Sequence, residues 1–144
     1  KGTICIMNKR DLEILVDLRV KEARLLFENN CYEGAYYLLG YALECAIKAC
    51  IAKQVKEYDF PDKNLANASY THKLVDLLGV AGLKQKLQEM LNSNEDFKLN
   101  WAVAKEWSEN SRYERNIEKT KINDFFDAVT NNKSGVLIWI KSWW

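Results

Sequence analysis

Few side chains in this sequence could do chemistry, and they fall in three places. One is the single histidine, His72, the only side chain here whose unperturbed pKa lies near neutrality. A second is the run Trp107-Ser108-Glu109-Asn110-Ser111-Arg112-Tyr113. There the Arg112 guanidinium can hold a phosphate through paired hydrogen bonds, and the rings of Trp107 and Tyr113 offer faces on which a base could stack. The third is a stripe at i, i+4, i+7 and i+11: Tyr37, Tyr41, Glu44 and Lys48. Together these groups suit anion contact with acid–base help, provided the fold brings them to one place.

The stripe belongs to the stretch from Cys31 to Lys53, which lacks proline and is rich in alanine and leucine. That composition predicts a long helix. At roughly 100° per residue its other positions are apolar around most of the circumference, so it predicts a helix at the centre of its domain, with Glu44 and Lys48 carried close to the core. Ahead of it, Asn8-Lys9-Arg10-Asp11 offers capping residues before Leu12, Leu15, Val16, Arg19, Ala23, Leu26 and Phe27. That spacing predicts an amphipathic helix to about Asn29, joined through Asn29-Asn30 as an antiparallel hairpin.

Further along, Tyr58 to Asn64 has turn chemistry, and the residues to Ser69 lack periodicity. Thr71 is the expected N-cap of a short helix through Leu78, and Leu83, Leu87, Met90 and Leu91 mark another ending near Asn94. Phe97 to Trp107 reads as helical, with Leu99, Val103 and Trp107 on one side. From about Ile117 or Lys119, the residues Ile122, Phe125, Phe126, Val129, Val136, Ile140 and Trp143 hold helical phase across Asn131–Gly135, which predicts one long helix kinked at Ser134-Gly135. No stretch alternates with period two. The expected class is all-α, an up-and-down bundle of about five helices.

The 144 residues fit a single domain over 1–144; Met7 opens a plausible native frame, so residues 1–6 ahead of it read as leader sequence. Lys and Arg number 21 against 20 Asp and Glu, so no global basic field announces nucleic acid, and such a contact needs a local patch. Cys5, Cys31, Cys45 and Cys50 form no Cys-x-x-Cys pair and have one histidine beside them, so no metal site or cofactor is expected. Reduced thiols and a cytoplasmic location are the expectation. No run approaches about 18 consecutive apolar residues, so no membrane span or membrane partner is expected.

Gly34-Ala35-Tyr36-Tyr37-Leu38-Leu39-Gly40-Tyr41-Ala42-Leu43-Glu44-Cys45-Ala46-Ile47-Lys48-Ala49 resembles the second helix of HEPN domains (higher eukaryotes and prokaryotes nucleotide-binding). Phe60-Pro61, Tyr70-Thr71-His72-Lys73-Leu74, Trp107-Ser108 with Ser111-Arg112-Tyr113, and Gly135-Val136-Leu137-Ile138-Trp139-Ile140 resemble the same family, in order, over nearly the whole chain. The resemblance implies a helical bundle that pairs as a homodimer. In many members it implies a metal-independent ribonuclease acting as a toxin beside a nucleotidyltransferase; other members are non-catalytic and bind nucleotides or partners. The ribonucleases carry an arginine followed after four to six residues by a histidine. Here those positions hold Ile117, Glu118 and Lys119 after Arg112, and Thr120, Lys121 and Ile122 after Arg115.

Without that pair, the preferred reading is a non-catalytic or weakly catalytic partner module in a prokaryotic toxin–antitoxin or nucleotidyltransferase-type system, associated with a nucleotide or RNA. The alternative is an active ribonuclease in which Arg112 stabilises the phosphorane and His72 or Glu44 supplies acid–base chemistry. A third reading is a structural oligomerisation module. The catalytic candidates are thus Arg112, Glu44 and His72, and the binding candidates Tyr37, Tyr41, Lys48, Trp107, Ser108 and Tyr113. Each has a plainer role. Glu44 and Lys48 suit an ordinary i, i+4 helical pair, unless Glu44 reaches Arg112. Tyr37 and Tyr41 suit packing, and His72 suits a cap or loop. Trp139, Trp143 and Trp144 suit either an exposed subunit interface or a core edge.

Overall fold

Helix α1 (Lys9–Glu28) begins on a full capping box: the Asn8 side chain accepts from the Asp11 N–H at 2.8 Å, and Asp11 reaches back to the Asn8 N–H. Reciprocal caps of this kind satisfy two backbone donors that the first turn leaves free. The structure, a computed structural model, describes residues 8–55 and 63–144; the expected leader and the Tyr58–Pro61 part of the turn lie outside them. Asn30 takes a left-handed backbone with φ 62°, a conformation asparagine tolerates better than most residues, and the chain enters α2 (Tyr32–Ala52) three residues after α1 ends.

Helix α2 is the centre of the fold, packed against α1, α4, α7 and α8. Fourteen of its residues are buried, Glu44 and Lys48 among them. It is the one helix among the described residues long and apolar enough to cross a membrane, and 78% of its apolar window is buried inside the fold. The protein core therefore accounts for its apolarity.

The remaining elements are α3 (Lys63–Ala68), α4 (Leu74–Val80), α5 (Lys84–Ser93), α6 (Glu95–Ala104), a 3-10 helix (Glu109–Tyr113), α7 (Lys119–Thr130) and α8 (Val136–Lys141). Among the described residues there is no strand, and the class is all-α. The described residues form eight α-helices where about five were expected: α4 is the expected short helix, α3 stands where the sequence reads as loop, and α8 is separate from α7 where one long helix was expected.

Two expectations change and one open alternative closes, each for an identifiable reason. First, Phe97, Trp101 and Ala104 form the buried face of α6, while Leu99 and Val103 point outward. Trp107 lies beyond the end of that helix, so it could not set the phase of the helical face. Second, α7 and α8 are separate. The Asn131 side chain accepts from the Lys133 and Ser134 N–H groups at 2.9 and 2.8 Å, a local turn that competes with the helical ladder. A Cβ at Gly135 would stand 2.3 Å from the Asn131 carbonyl oxygen, so only glycine fits that return. Third, the terminal tryptophans form a core edge. Trp139 is buried against Phe97, with ring centroids 5.3 Å apart, Trp143 and Trp144 pack on the core, and the Trp144 indole donates to the Ala46 carbonyl at 3.0 Å.

Candidate functional site

The α2 stripe places four side chains in line, and their surroundings change along it. Tyr37 and Tyr41 are half-buried and stacked, with centroids 6.3 Å apart and planes within 10°. One and two turns on, Glu44 and Lys48 are buried, at 1% and 5% exposure. Lys48 Nζ donates to Glu44 Oε2 at 3.1 Å. The pair is thus part of the interior and not the exposed helical pair that its spacing suggests.

His72 comes from the connection between α3 and α4, where Thr71 Oγ1 accepts from the Lys73 N–H two residues on and Lys73 stands at the N-cap. Thr71 shapes this turn, while His72 points across to α2. Its Nδ1 lies 2.9 Å from Glu44 Oε2, the same oxygen that Lys48 holds. Its Nε2 faces Glu109 Oε2 at 3.4 Å, and that oxygen lies 4.0 Å from Arg112 Nη1. Ionisable side chains therefore run in sequence from the core to the surface: Lys48, Glu44, His72, Glu109, Arg112. The Glu44–Arg112 contact does not form, because His72 takes the surface-facing side of Glu44 and Glu109 takes Arg112. Both ring nitrogens of His72 face carboxylate oxygens.

Arg112 is about half exposed and lies over the Tyr113 ring, 4.9 Å from its centroid. Contact with Tyr113, followed by Tyr37 and Glu109, holds its pKa above the ordinary arginine value. Tyr113 is 69% exposed and Ser108 is exposed, so both are open to a ligand. Trp107 is not. It is buried, its ring lies 6.3 Å from that of Tyr37, and it covers Gly40 so closely that a Cβ there would be 2.0 Å from the indole. Trp107 therefore packs on the Tyr37 and Gly40 face of α2, and Lys48 is paired with Glu44 in the interior. Of the three tyrosines expected to line the site, Tyr113 is the exposed one, while Tyr37 and Tyr41 are half-buried.

Burial also governs the titration of the interior side. It pushes the Cys45 thiol up to about 11, with the Glu44 charge adding to the rise, and the Cys50 thiol likewise to about 11. Tyr41, in contact with Cys45, rises to about 12, again mainly through burial. These groups are neutral packing elements at ordinary pH. Among the described residues no group of three His, Cys, Asp or Glu side chains is placed to hold a metal ion.

Glu109 is the residue that sequence reasoning missed. Its i, i+3 spacing to Arg112 was a signal for a pair, but its approach to His72 is purely tertiary. A separate groove of about 340 Å³ between α1 and α8, lined by Asp17, Lys21, Arg24 and Lys141 among others, contains none of these site residues. No family model, curated protein or solved structure matches the chain.

Proposed function

We propose that this protein is a HEPN-like helical domain that binds the phosphate of a nucleotide or of RNA at the edge formed by His72 and Arg112. It acts as a homodimeric partner module, non-catalytic or weakly catalytic, in a cytoplasmic toxin–antitoxin or nucleotidyltransferase-type system. The observation that carries this reading is the convergence of His72 and Arg112, 40 positions apart in the sequence, on a single carboxylate oxygen at the surface. A guanidinium and an imidazole nitrogen around one anionic oxygen, beside the exposed ring of Tyr113, suit a nucleotide phosphate and its base. The order of the resembling segments supports the HEPN-like bundle, with α1 and α2 as its hairpin. The apolar residues Ile14, Leu18 and Leu25, exposed on α1, support the homodimer. Calorimetry with AMP, ATP and short single-stranded RNAs tests the reading. Binding that is lost in Arg112→Ala is the expected result; no binding by the wild type would leave the oligomerisation module standing instead.

One observation favours the catalytic alternative. The 2.9 Å contact of Glu44 with His72 Nδ1 fixes the ring so that Nε2 points outward. A buried carboxylate orienting an imidazole is a recurring way to prepare an acid–base group. In that reading His72 transfers the proton and Arg112 stabilises the charge developing on phosphorus. Incubation with total RNA decides it: degradation that disappears in both His72→Ala and Arg112→Ala establishes the nuclease, and intact RNA excludes it.

A further inference from the structure

Glu109 occupies a peculiar place for a residue at a phosphate-binding edge. Its Oε2 stands between His72 Nε2, at 3.4 Å, and Arg112 Nη1, at 4.0 Å. That is the position a phosphate oxygen would take. Neither contact is tight, and all three side chains are between about a third and a half exposed. Glu109 opens a five-residue 3-10 helix, a short element that readjusts more easily than a long α-helix. By contrast, Glu44 on the other side of the His72 ring is buried on α2 at 2.9 Å. The inner carboxylate fixes the ring, and the outer one rests against it.

We infer that Glu109 is a built-in occupant of the phosphate site, its carboxylate holding the place of a ligand phosphate oxygen until a phosphate ester displaces it. This rests on the phosphate-binding reading above. When a ligand arrives, His72 Nε2 and Arg112 exchange one anionic partner for another, and Glu109 swings to solvent. No covalent bond changes. Because the displaced contact is internal, its cost is the same whichever phosphate displaces it. Apparent affinity falls by the fraction of molecules in which the site is open. Two long, half-exposed contacts are individually weak, so the expected factor is about three- to tenfold.

That reasoning separates displacement from simple repulsion. Repulsion between Glu109 and a ligand grows with ligand charge, so removing it helps the dianion of AMP more than the monoanion of the dinucleotide ApA. Displacement helps both equally. Glu109→Asp adds a second criterion, since it keeps the charge but shortens the reach to His72 and Arg112. The experiment is calorimetry with AMP and with ApA on the wild type, Glu109→Gln, Glu109→Asp and Arg112→Ala, with melting curves confirming that each is folded. The expected result is a gain of about three- to tenfold in both Glu109 variants, similar for the two ligands. A gain in Glu109→Gln alone, larger for AMP, would overturn displacement in favour of repulsion and leave phosphate binding intact. Weaker binding in the Glu109 variants would also overturn it, making Glu109 a positioning residue for Arg112. Binding by none of the proteins, or binding indifferent to Arg112→Ala, would sink both this inference and the function on which it rests. The wild type provides a check that needs no variant. His72 is the sole histidine, so its ring protons are assigned without ambiguity in NMR spectra. Displacement requires them to shift on saturation with AMP, and an unmoved resonance at saturation overturns the inference.

Discussion

Two glutamate–cation pairs flank the His72 ring, alike in chemistry and opposite in setting. Glu44 and Lys48, four residues apart on α2, are 2% and 6% exposed at their side chains; Glu109 and Arg112, three apart on the 3-10 helix, are 35% and 46% exposed. The inner pair is separated by 3.1 Å and the outer by 4.0 Å. Sequence spacing makes both ordinary helical pairs. Burial makes the first part of the fold and leaves the second free to exchange partners. A buried charge stripped of its partner is costly because water cannot replace it, whereas an exposed one is rehydrated.

The largest expected effect comes from breaking the inner pair. Glu44→Ala leaves Lys48 buried without its counter-charge and removes the acceptor for His72 Nδ1, so it should cost about 3–5 kcal/mol in urea unfolding. Replacing both partners, as Glu44→Leu with Lys48→Met, should recover much of that loss, because no lone buried charge remains. If Glu44→Ala unfolds at the wild-type urea concentration, the inner pair is no more structural than the outer one.

Next comes alkaline pH, which acts on the same interior. Cys45 and Cys50 have folded pKa values of about 11 against an ordinary 9.0. Between those values the unfolded chain releases thiol protons that the native state retains. Stability is therefore full below pH about 9 and falls as pH rises toward 11. At about 1.4 kcal/mol per pKa unit, each thiol costs about 3 kcal/mol at most. Urea unfolding at pH 8 and pH 10.5 measures the loss, and Cys45→Ala should flatten the profile. A wild-type midpoint that does not move over this range would contradict the burial of the thiols.

A smaller effect is expected where the interior supports the outer pair. Gly40 lies beneath the Trp107 indole, and the methyl of Gly40→Ala would meet that ring at 2.0 Å. Relief requires a buried ring to move, which costs about 1–3 kcal/mol. Trp107 immediately precedes the 3-10 helix, so phosphate affinity should fall along with stability. Unchanged stability would mean that the indole relocates freely.

Local chemistry made part of this legible from the residues alone. The Asn8–Asp11 capping box, the Asn29-Asn30 turn and the buried α2 follow from caps, turn preference and apolar coverage, which act within a few residues. Asn131–Gly135 misled because apolar phase survives an interruption of suitable length, while the Asn131 side-chain turn that ends α7 leaves no mark on that phase. The stripe on α2 marks the helix face that Glu44 shares with His72, but the order of ionisable groups leading away from it was hidden. His72 reaches Glu44 across 28 residues, and Glu109 approaches His72 only once the 3-10 helix packs on α2. Charge alone offered Lys48 and Arg112 as partners of Glu44; the first pair forms, and the place of the second is taken by the histidine that the fold brings across.

The smallest effect on stability belongs to the outer pair, and it sharpens the comparison most. Arg112→Ala should leave the urea midpoint where it is, since its exposed neighbours are rehydrated, and yet weaken RNA binding. The loss should depend on salt. Each phosphate contact to single-stranded RNA contributes about 0.7 to the slope of log affinity against log salt, so the Arg112→Ala slope should be shallower by about that amount. Lys141, an exposed cation paired with Asp17 at 3.3 Å on the α1–α8 side, is the control. Lys141→Ala removes the same charge from the molecule and should leave the slope unchanged. If the two variants shift the slope equally, RNA responds to net charge, and the meeting of His72 and Arg112 on one oxygen has no special part in binding.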